Sequence, residues 1–184
     1  MKRMLAAAMF AALVAGAGTA SAQNVMVGGM AMYPTKDIVD NAVNSADHTT
    51  LVAAVKAADL VGTLKGKGPF TVFAPVNDAF KDLPDGTVAT LLKPENKATL
   101  TKVLTYHVVS GRLTAHELME LIHKGKGRAT LNTVSGGKIF ATRNGPRNIV
   151  IMDESGNTAH ISTYDVMQSN GVIQVIDHVL LPKM

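Results

Sequence analysis

The chain contains no cysteine. That excludes structural disulfides, thiolate zinc sites, cysteine nucleophiles and a lipid carried on cysteine. Stability must then come from a packed core, and 184 residues are enough for one. Aromatic residues make up only 4% of the chain, too few to interleave with basic residues in a nucleic-acid surface. After the first two dozen residues no apolar run is long enough to span a membrane. No serine sits in a G-x-S-x-G elbow, and no Walker loop or dinucleotide fingerprint opens a helix after a strand. Gly66, Gly68, Gly125 and Gly127 belong instead to two KGKG loops. No enzyme class finds a complete set of roles, so a non-enzymatic protein without cofactor or metal is expected.

What is present begins with MKRMLAAAMFAALVAGAGTASAQ. Lys2 and Arg3 form a basic start, Met4 to Gly18 an apolar run rich in small residues, and Ala20-Ser21-Ala22 a cleavage site. Residues 1–22 therefore read as an export signal of bacterial style, cleaved before Gln23. Loss of Lys2 and Arg3 takes the formal net charge from +4 to +2, which weakens any case for a polyanion partner. The product is expected in the periplasm or outside the cell. Residues 23–34 (QNVMVGGMAMYP) show no clear period and read as a flexible arm. A single domain follows over 35–184.

The first half of that domain has helical spacing. In DIVDNAVNS the apolar Ile38, Val39, Ala42 and Val43 share one side. LVAAVKAADLVGTLK carries Leu51, Val52, Val55, Leu60 and Leu64 near helical spacing until Gly66. Helices are also expected over NDAFKDL and on either side of Pro94, with Leu100, Val103 and Leu104 buried. The second half changes period. TLNTV, KIFAT, NIVIM, AHISTY and GVIQVIDHVLL are separated by Gly136-Gly137, Asn144-Gly145, Ser155-Gly156 and Asn170-Gly171. Turn dipeptides at that spacing predict successive hairpins. Helices first and strands second, with one early strand, define an α+β fold.

That early strand is FTVFAPVNDAF, 70–80. Both alternating sets are largely apolar, which predicts burial on both faces. Pro75 lacks an N–H and ends the strand. Asn77 is placed to cap the short helix that follows, and Phe80 returns an apolar group to the core. The segment resembles the first signature of the fasciclin domain, carried by Thr71, Phe73, Ala74, Pro75, Asn77, Asp78 and Phe80. LTYHVVSGRL resembles that family's Tyr-His segment, and NGVIQVIDHVLLP, with Asp177, its second signature. The three stand in the family's order across nearly all of the mature chain. The resemblance implies a β-wedge or sandwich of short strands flanked by several α-helices, working as an extracellular adhesion module. It also implies that Tyr106 and His107 form a contact site, since the Tyr-His region is implicated in integrin contact in animal relatives; read from the residues alone, His107 is instead a partly buried structural histidine whose ring nitrogens tie neighbouring segments.

The remaining chemistry is sparse. His116 opens HELMELIH, but a helical zinc pair needs a histidine where Glu120 stands. His116 and His123 are seven apart and could share a helix face with Glu120, but solvated polar positions are the expected reading. Strand alternation would point Asp177 and His178 to opposite faces, against an acid–base pair. Lys65, Lys67, Lys124, Lys126, Arg128, Arg143 and Arg147 decorate loops and would hold an anionic polysaccharide only if clustered. The reading favoured is adhesion, through a cell-surface or matrix protein or polysaccharide, with self-association a further route. The alternative is a periplasmic binder of a small apolar or anionic ligand, with the ten methionines offering adaptable apolar surface. A flat apolar patch around Tyr106 would favour the first, and a pocket between helices and sheet the second.

Overall fold

The computed structural model describes residues 24–183 except Arg147. The leader assigned to 1–22 lies outside the described residues. The helical half opens with α1 (Ile38–Ala42), where Asp37 caps the first turn by accepting from the Asp40 amide at 2.8 Å. A 3-10 turn leads into α2 (Thr49–Ala57), and α3 (Val61–Leu64) follows. The apolar run expected to be continuous breaks between them, where Asp59 takes a left-handed φ of 60°. After β3 (Phe70–Pro75) come α4 (Asn77–Lys81), α5 (Thr87–Leu91) and α6 (Lys97–Tyr106). On α6 the buried face is Leu100, Val103 and Leu104, as their spacing predicts, together with Tyr106. A short β4 (Val108–Ser110) precedes α7 (Ala115–Lys124), which starts on a Thr114–Glu117 capping box.

The strand-rich half forms β5 (Arg128–Asn132), β6 (Lys138–Asn144), β7 (Asn148–Met152), β8 (Thr158–Gln168) and β9 (Gly171–Ile176). Each expected turn dipeptide sits at a junction between two of these strands, with Asn144 ending β6 and Gly171 opening β9. The sheet order is β4-β3-β9-β8-β7-β6-β5, antiparallel throughout except for β3 beside β9. That parallel pair sets Phe70 opposite Gly171 and Pro75 opposite Ile176. A bridge between Val109 and Thr133 links the two outer strands. The architecture is the α+β wedge expected.

Because β3 is an inner strand, both its faces are covered. Val72 and Ala74 enter a core shared with α1, α2 and α3. Phe73 enters a second core under α7, with Leu118, Ile122, Ile139 and Ile151. Strand β9 divides in the same way, with Ile173 and Val175 in the first core and Ile176 in the second. Period-2 alternation thus feeds two cores from one pair of strands.

The segment expected to be a flexible arm is a docked hairpin. Strands β1 (Met26–Val27) and β2 (Met30–Ala31) pair across Gly28-Gly29. Val27 and Met32 are buried in the first core. The Asn41 side chain holds Tyr33 by both its amide and its carbonyl, at 3.0 and 2.8 Å. Gly28 has φ +58°, and a Cβ there would lie 2.7–2.8 Å from the backbone nitrogens of Ala46 and Asp47. Only glycine lets the turn approach so closely.

The cap expected of Asn77 is also different. Asn77 is the first residue of α4 and does not cap that helix, whose preceding residue is Val76. Its Oδ1 instead accepts from the Thr50 amide at 3.0 Å and the Thr49 hydroxyl at 3.2 Å, while its Nδ2 donates to the Ala46 carbonyl at 2.8 Å. It caps α2 from across the fold. Asn77→Ala is expected to cost about 1–2 kcal/mol. Hydrogen exchange locates the loss: the Thr50 amide should exchange faster, with the α4 amides little changed. Faster exchange confined to α4 would restore the local-cap assignment.

Candidate functional site

Tyr106 and His107 end α6 and enter β4, and the structure buries both. Tyr106 is 0% exposed and His107 3% exposed. This corrects the contact surface that the resemblance implied and agrees with the reading of His107 as a buried histidine that ties neighbouring segments. The reason lies in distant partners. The Tyr106 hydroxyl donates to the Lys138 carbonyl at 2.6 Å and accepts from the Glu154 amide at 3.1 Å. It joins α6 to β6 and to the β7–β8 turn. Burial pushes the Tyr106 phenol up to about 12. Gly137 completes the seat, since a Cβ there would come within 2.7 Å of the Tyr106 ring.

His107 faces the other way. Its Nδ1 lies 2.8 Å from the Val103 carbonyl, and its Nε2 accepts from the Leu180 amide at 3.0 Å. The two bonds fix a neutral ring with the proton on Nδ1. Burial lowers the His107 pKa to about 4. The next amide along, Leu181, donates to Asp153 Oδ2 at 3.1 Å. Asp153, 1% exposed, also accepts from the Ser155 and Asn157 amides and the Asn157 side chain. Tyr106, His107 and Asp153 therefore form one buried clasp that pins the segment after β9 to α6 and to the β7–β8 turn. In the sequence Asp153 carries no signal beyond its place beside the Ser155-Gly156 turn.

The other signature residues are structural as well. Thr71, fully buried, donates to the Gly111 carbonyl at 2.7 Å and accepts from the Leu113 amide at 2.8 Å. Phe73 and Ala74 fill the two cores, Pro75 closes β3, and Phe80 packs partly buried between helices. Asp78 is exposed and, among the described residues, pairs only with Lys81, a bond of little weight in water. Asp177 accepts from the His160 amide at 2.7 Å and meets His178 Nδ1 at 2.8 Å. The two do not point apart as strand alternation predicted, because β9 ends at Ile176 and the alternation ends with it.

Among the described residues no group of three or more histidines and carboxylates is placed to hold a metal. His116 and His123 stand exposed on α7. Several loop cations already have partners. Lys65 pairs with Asp37 and Asp40, Lys124 with Glu120, and Arg128 stacks on the Phe140 ring at 3.7 Å. Arg143 donates to the Pro146 carbonyl at 2.8 Å; Arg147 lies outside the described residues.

Two surface and interior features remain. Met26, Met30 and Tyr33, on and beside the N-terminal hairpin, are 58%, 50% and 43% exposed. Inside, a cavity of about 70 Å³ lies between the helices and strands β3 and β9. The flat apolar patch around Tyr106 is absent, and a pocket between helices and sheet is present.

Comparison with known proteins settles the family. The Fasciclin domain profile matches residues 46–182, and the chain belongs to that family. The Synechocystis protein sll1483 is 48% identical over 80% of this chain and 74% of its own length. The immunogenic protein MPB70 of Mycobacterium bovis is 32% identical over 77% of this chain and 66% of its own. The solved FAS1 domain pair from the insect cell adhesion molecule Fasciclin I superposes with a TM-score of 0.69 at 18% identity. That match covers 79% of this chain and 51% of the pair, and it shows the same fold.

Proposed function

We propose that this protein is an exported, non-enzymatic binding module that mediates contact with a cell-surface or matrix protein or polysaccharide. The contact surface lies on the N-terminal hairpin. The pocket between helices and sheet favours the small-ligand alternative, but family membership and the fold shared with a cell adhesion molecule support the adhesive reading, with its surface moved away from the buried Tyr106. The observation that carries the surface is the grouping of Met26, Met30 and Tyr33, three large apolar side chains exposed within eight residues. The hairpin that bears them is held by Val27, Met32 and Asn41, so Met26 and Met30 are presented on a fixed base, one from each face of the paired strands. Methionine adapts to irregular partners, and tyrosine supplies a rigid amphipathic contact. Tyr106 and His107 act behind this surface by holding the domain together. Among the described residues no helix is long and apolar enough to cross a membrane.

The test is binding of residues 23–184 to intact cells of the source and of a host, beside a Met26→Ser/Met30→Ser/Tyr33→Ser variant. Saturable binding that drops at least tenfold in the folded variant is expected. Binding unchanged in the variant would move the contact elsewhere. Sedimentation of both proteins separates cell contact from self-association.

A further inference from the structure

We propose that one end of the β5–β6 hairpin is a binding surface for a linear acidic polysaccharide, separate from the patch on the N-terminal hairpin. Residues 121–152 carry six lysines and arginines and no aspartate or glutamate. With the exported chain at a formal +2, the rest of it stands at −4. The small net charge thus conceals two regions of opposite sign, and a local field of one sign is what draws a polyanion. The fold gathers part of this charge. Lys124 ends α7, Lys126 lies in the turn that follows, and Arg128 opens β5. Arg128 pairs across the ladder with Thr142, the neighbour of Arg143. Facing positions in an antiparallel pair are about 5 Å apart, so Arg128, Arg143 and the Lys126 turn ring the same end. Lys138 stands at the other end, opposite Asn132.

Arg128 is the best prepared of these cations. Its guanidinium stacks on the Phe140 ring at 3.7 Å. Stacking uses the flat face and leaves the N–H edge to hold a carboxylate or sulfate by two parallel bonds. Among the described residues no carboxylate pairs with Lys126, Arg128 or Arg143. The pair of Lys124 with Glu120, at 3.5 Å, is exposed and weak. Lys126 holds a left-handed φ of 54° between two glycines, with its side chain exposed. Glycine would take that backbone more easily, so packing gives no reason for a lysine there. Alternation puts Arg128 on the outer face of the sheet and Arg143 on the face of Ile139 and Ala141, under α7. The cations wrap an end and do not line a pocket, a layout that suits a chain with repeated anionic groups engaged at once. Neutral neighbours select the kind of chain. Thr130 and Asn132 share the exposed face of β5 with Arg128, and Asn144 faces Asn148 beside Arg143. These hydroxyls and amides match the hydroxyls of sugars. A lipid surface fits less well, because basic membrane-binding segments also bury large apolar side chains. Met26, Met30, Tyr33, Val43 and Val134, the large apolar residues exposed among those described, stand away from this end. With the apolar patch on the N-terminal hairpin, a second contact lets one domain touch two partners at once.

Polygalacturonate and dextran sulfate are the probes, with neutral dextran as the control. Each is titrated into residues 23–184 and followed by amide NMR. At least one acidic chain is expected to bind saturably and to shift the amides of Lys126, Arg128, Arg143 and Asn144, while neutral dextran shifts none. Affinity should fall about tenfold or more between 0.1 M and 1 M salt, over which the screening length shortens from about 10 to about 3 Å. The variant Lys126→Gly/Arg128→Gln/Arg143→Gln should lose at least tenfold in affinity. Lys56→Gln/Lys93→Gln/Lys102→Gln removes the same charge from exposed positions in the helical half and should bind as the wild type does. Equal loss in the two variants would assign the attraction to overall charge and overturn the site. So would shifts confined to other residues, absence of saturation, or binding to phosphatidylglycerol vesicles without binding to either acidic chain. Met26→Ser/Met30→Ser/Tyr33→Ser should keep full affinity for the acidic chain, and a tenfold loss there would overturn the separation of the two surfaces. If the sheet-end variant does not fold, the amide shifts of the wild-type protein decide alone.

Discussion

Replacing His107 with alanine is expected to lower the unfolding free energy by about 3–5 kcal/mol. The ring fills a fully buried position and satisfies two backbone groups, the Val103 carbonyl and the Leu180 amide. Alanine leaves both unpaired beside a new cavity. The same geometry makes the domain acid-sensitive. Protonation would set an N–H at Nε2 against the N–H of Leu180, and burial already holds the folded pKa at about 4 against an ordinary 6.5. A histidine whose folded pKa is depressed contributes stability above its unfolded pKa. That contribution is lost as pH falls from about 6.5 towards 4. At pH 4.5 the loss is on the order of 2–3 kcal/mol. His48 shifts in the same direction and adds to it. Urea unfolding at pH 7 and pH 4.5 measures both effects, with circular dichroism as the probe because the chain has no tryptophan. The alanine variant should show a shallower pH dependence than the wild type. Equal dependence in the two proteins would assign the acid sensitivity elsewhere.

The second half of the fold was legible because its signals are local. Glycine after asparagine, serine or another glycine marks a tight turn wherever the chain goes, and four such dipeptides delimited β5 to β9. The double burial of β3 was legible from its composition. The hairpin at 26–31 was missed although Gly28-Gly29 carried the same kind of signal, because methionine and alanine give little strand preference. The break at Asp59 had no glycine or proline to announce it. Asn77 shows the limit most clearly. Its residue type identified a cap, but which helix it caps depends on a contact with Thr50, 27 positions away. Tyr106 and His107 pose the same problem at longer range. Their partners Lys138, Glu154 and Leu180 stand 32 to 73 residues on. A Tyr-His pair destined for a surface and one destined for a clasp look alike in sequence.

Asp153 carries the other large effect, and here asparagine is expected to fail nearly as badly as alanine. The carboxylate accepts four hydrogen bonds with its two oxygens. Oδ1 takes the Ser155 and Asn157 amides at 2.9 Å each, and Oδ2 takes the Asn157 side chain at 2.8 Å and the Leu181 amide at 3.1 Å. All four partners donate. Asparagine keeps one acceptor oxygen, but its amide nitrogen would face two donors. Asp153→Ala is expected to cost about 3–5 kcal/mol and Asp153→Asn about 2–4 kcal/mol, since bonds to a charged acceptor are the stronger kind and donors left buried are costly. The consequence reaches beyond the β7–β8 turn. Leu180 and Leu181 are consecutive amides, one held by His107 and the next by Asp153. Loss of either clasp should free the segment after β9, and combining Asp153→Ala with His107→Ala should cost less than the two single effects added, because they share that segment. Unfolding midpoints and the exchange rate of the Leu181 amide measure this. A wild-type midpoint in Asp153→Asn would show that the Oδ2 bonds are dispensable. Full additivity in the double variant would show that the two side chains hold separate parts of the fold.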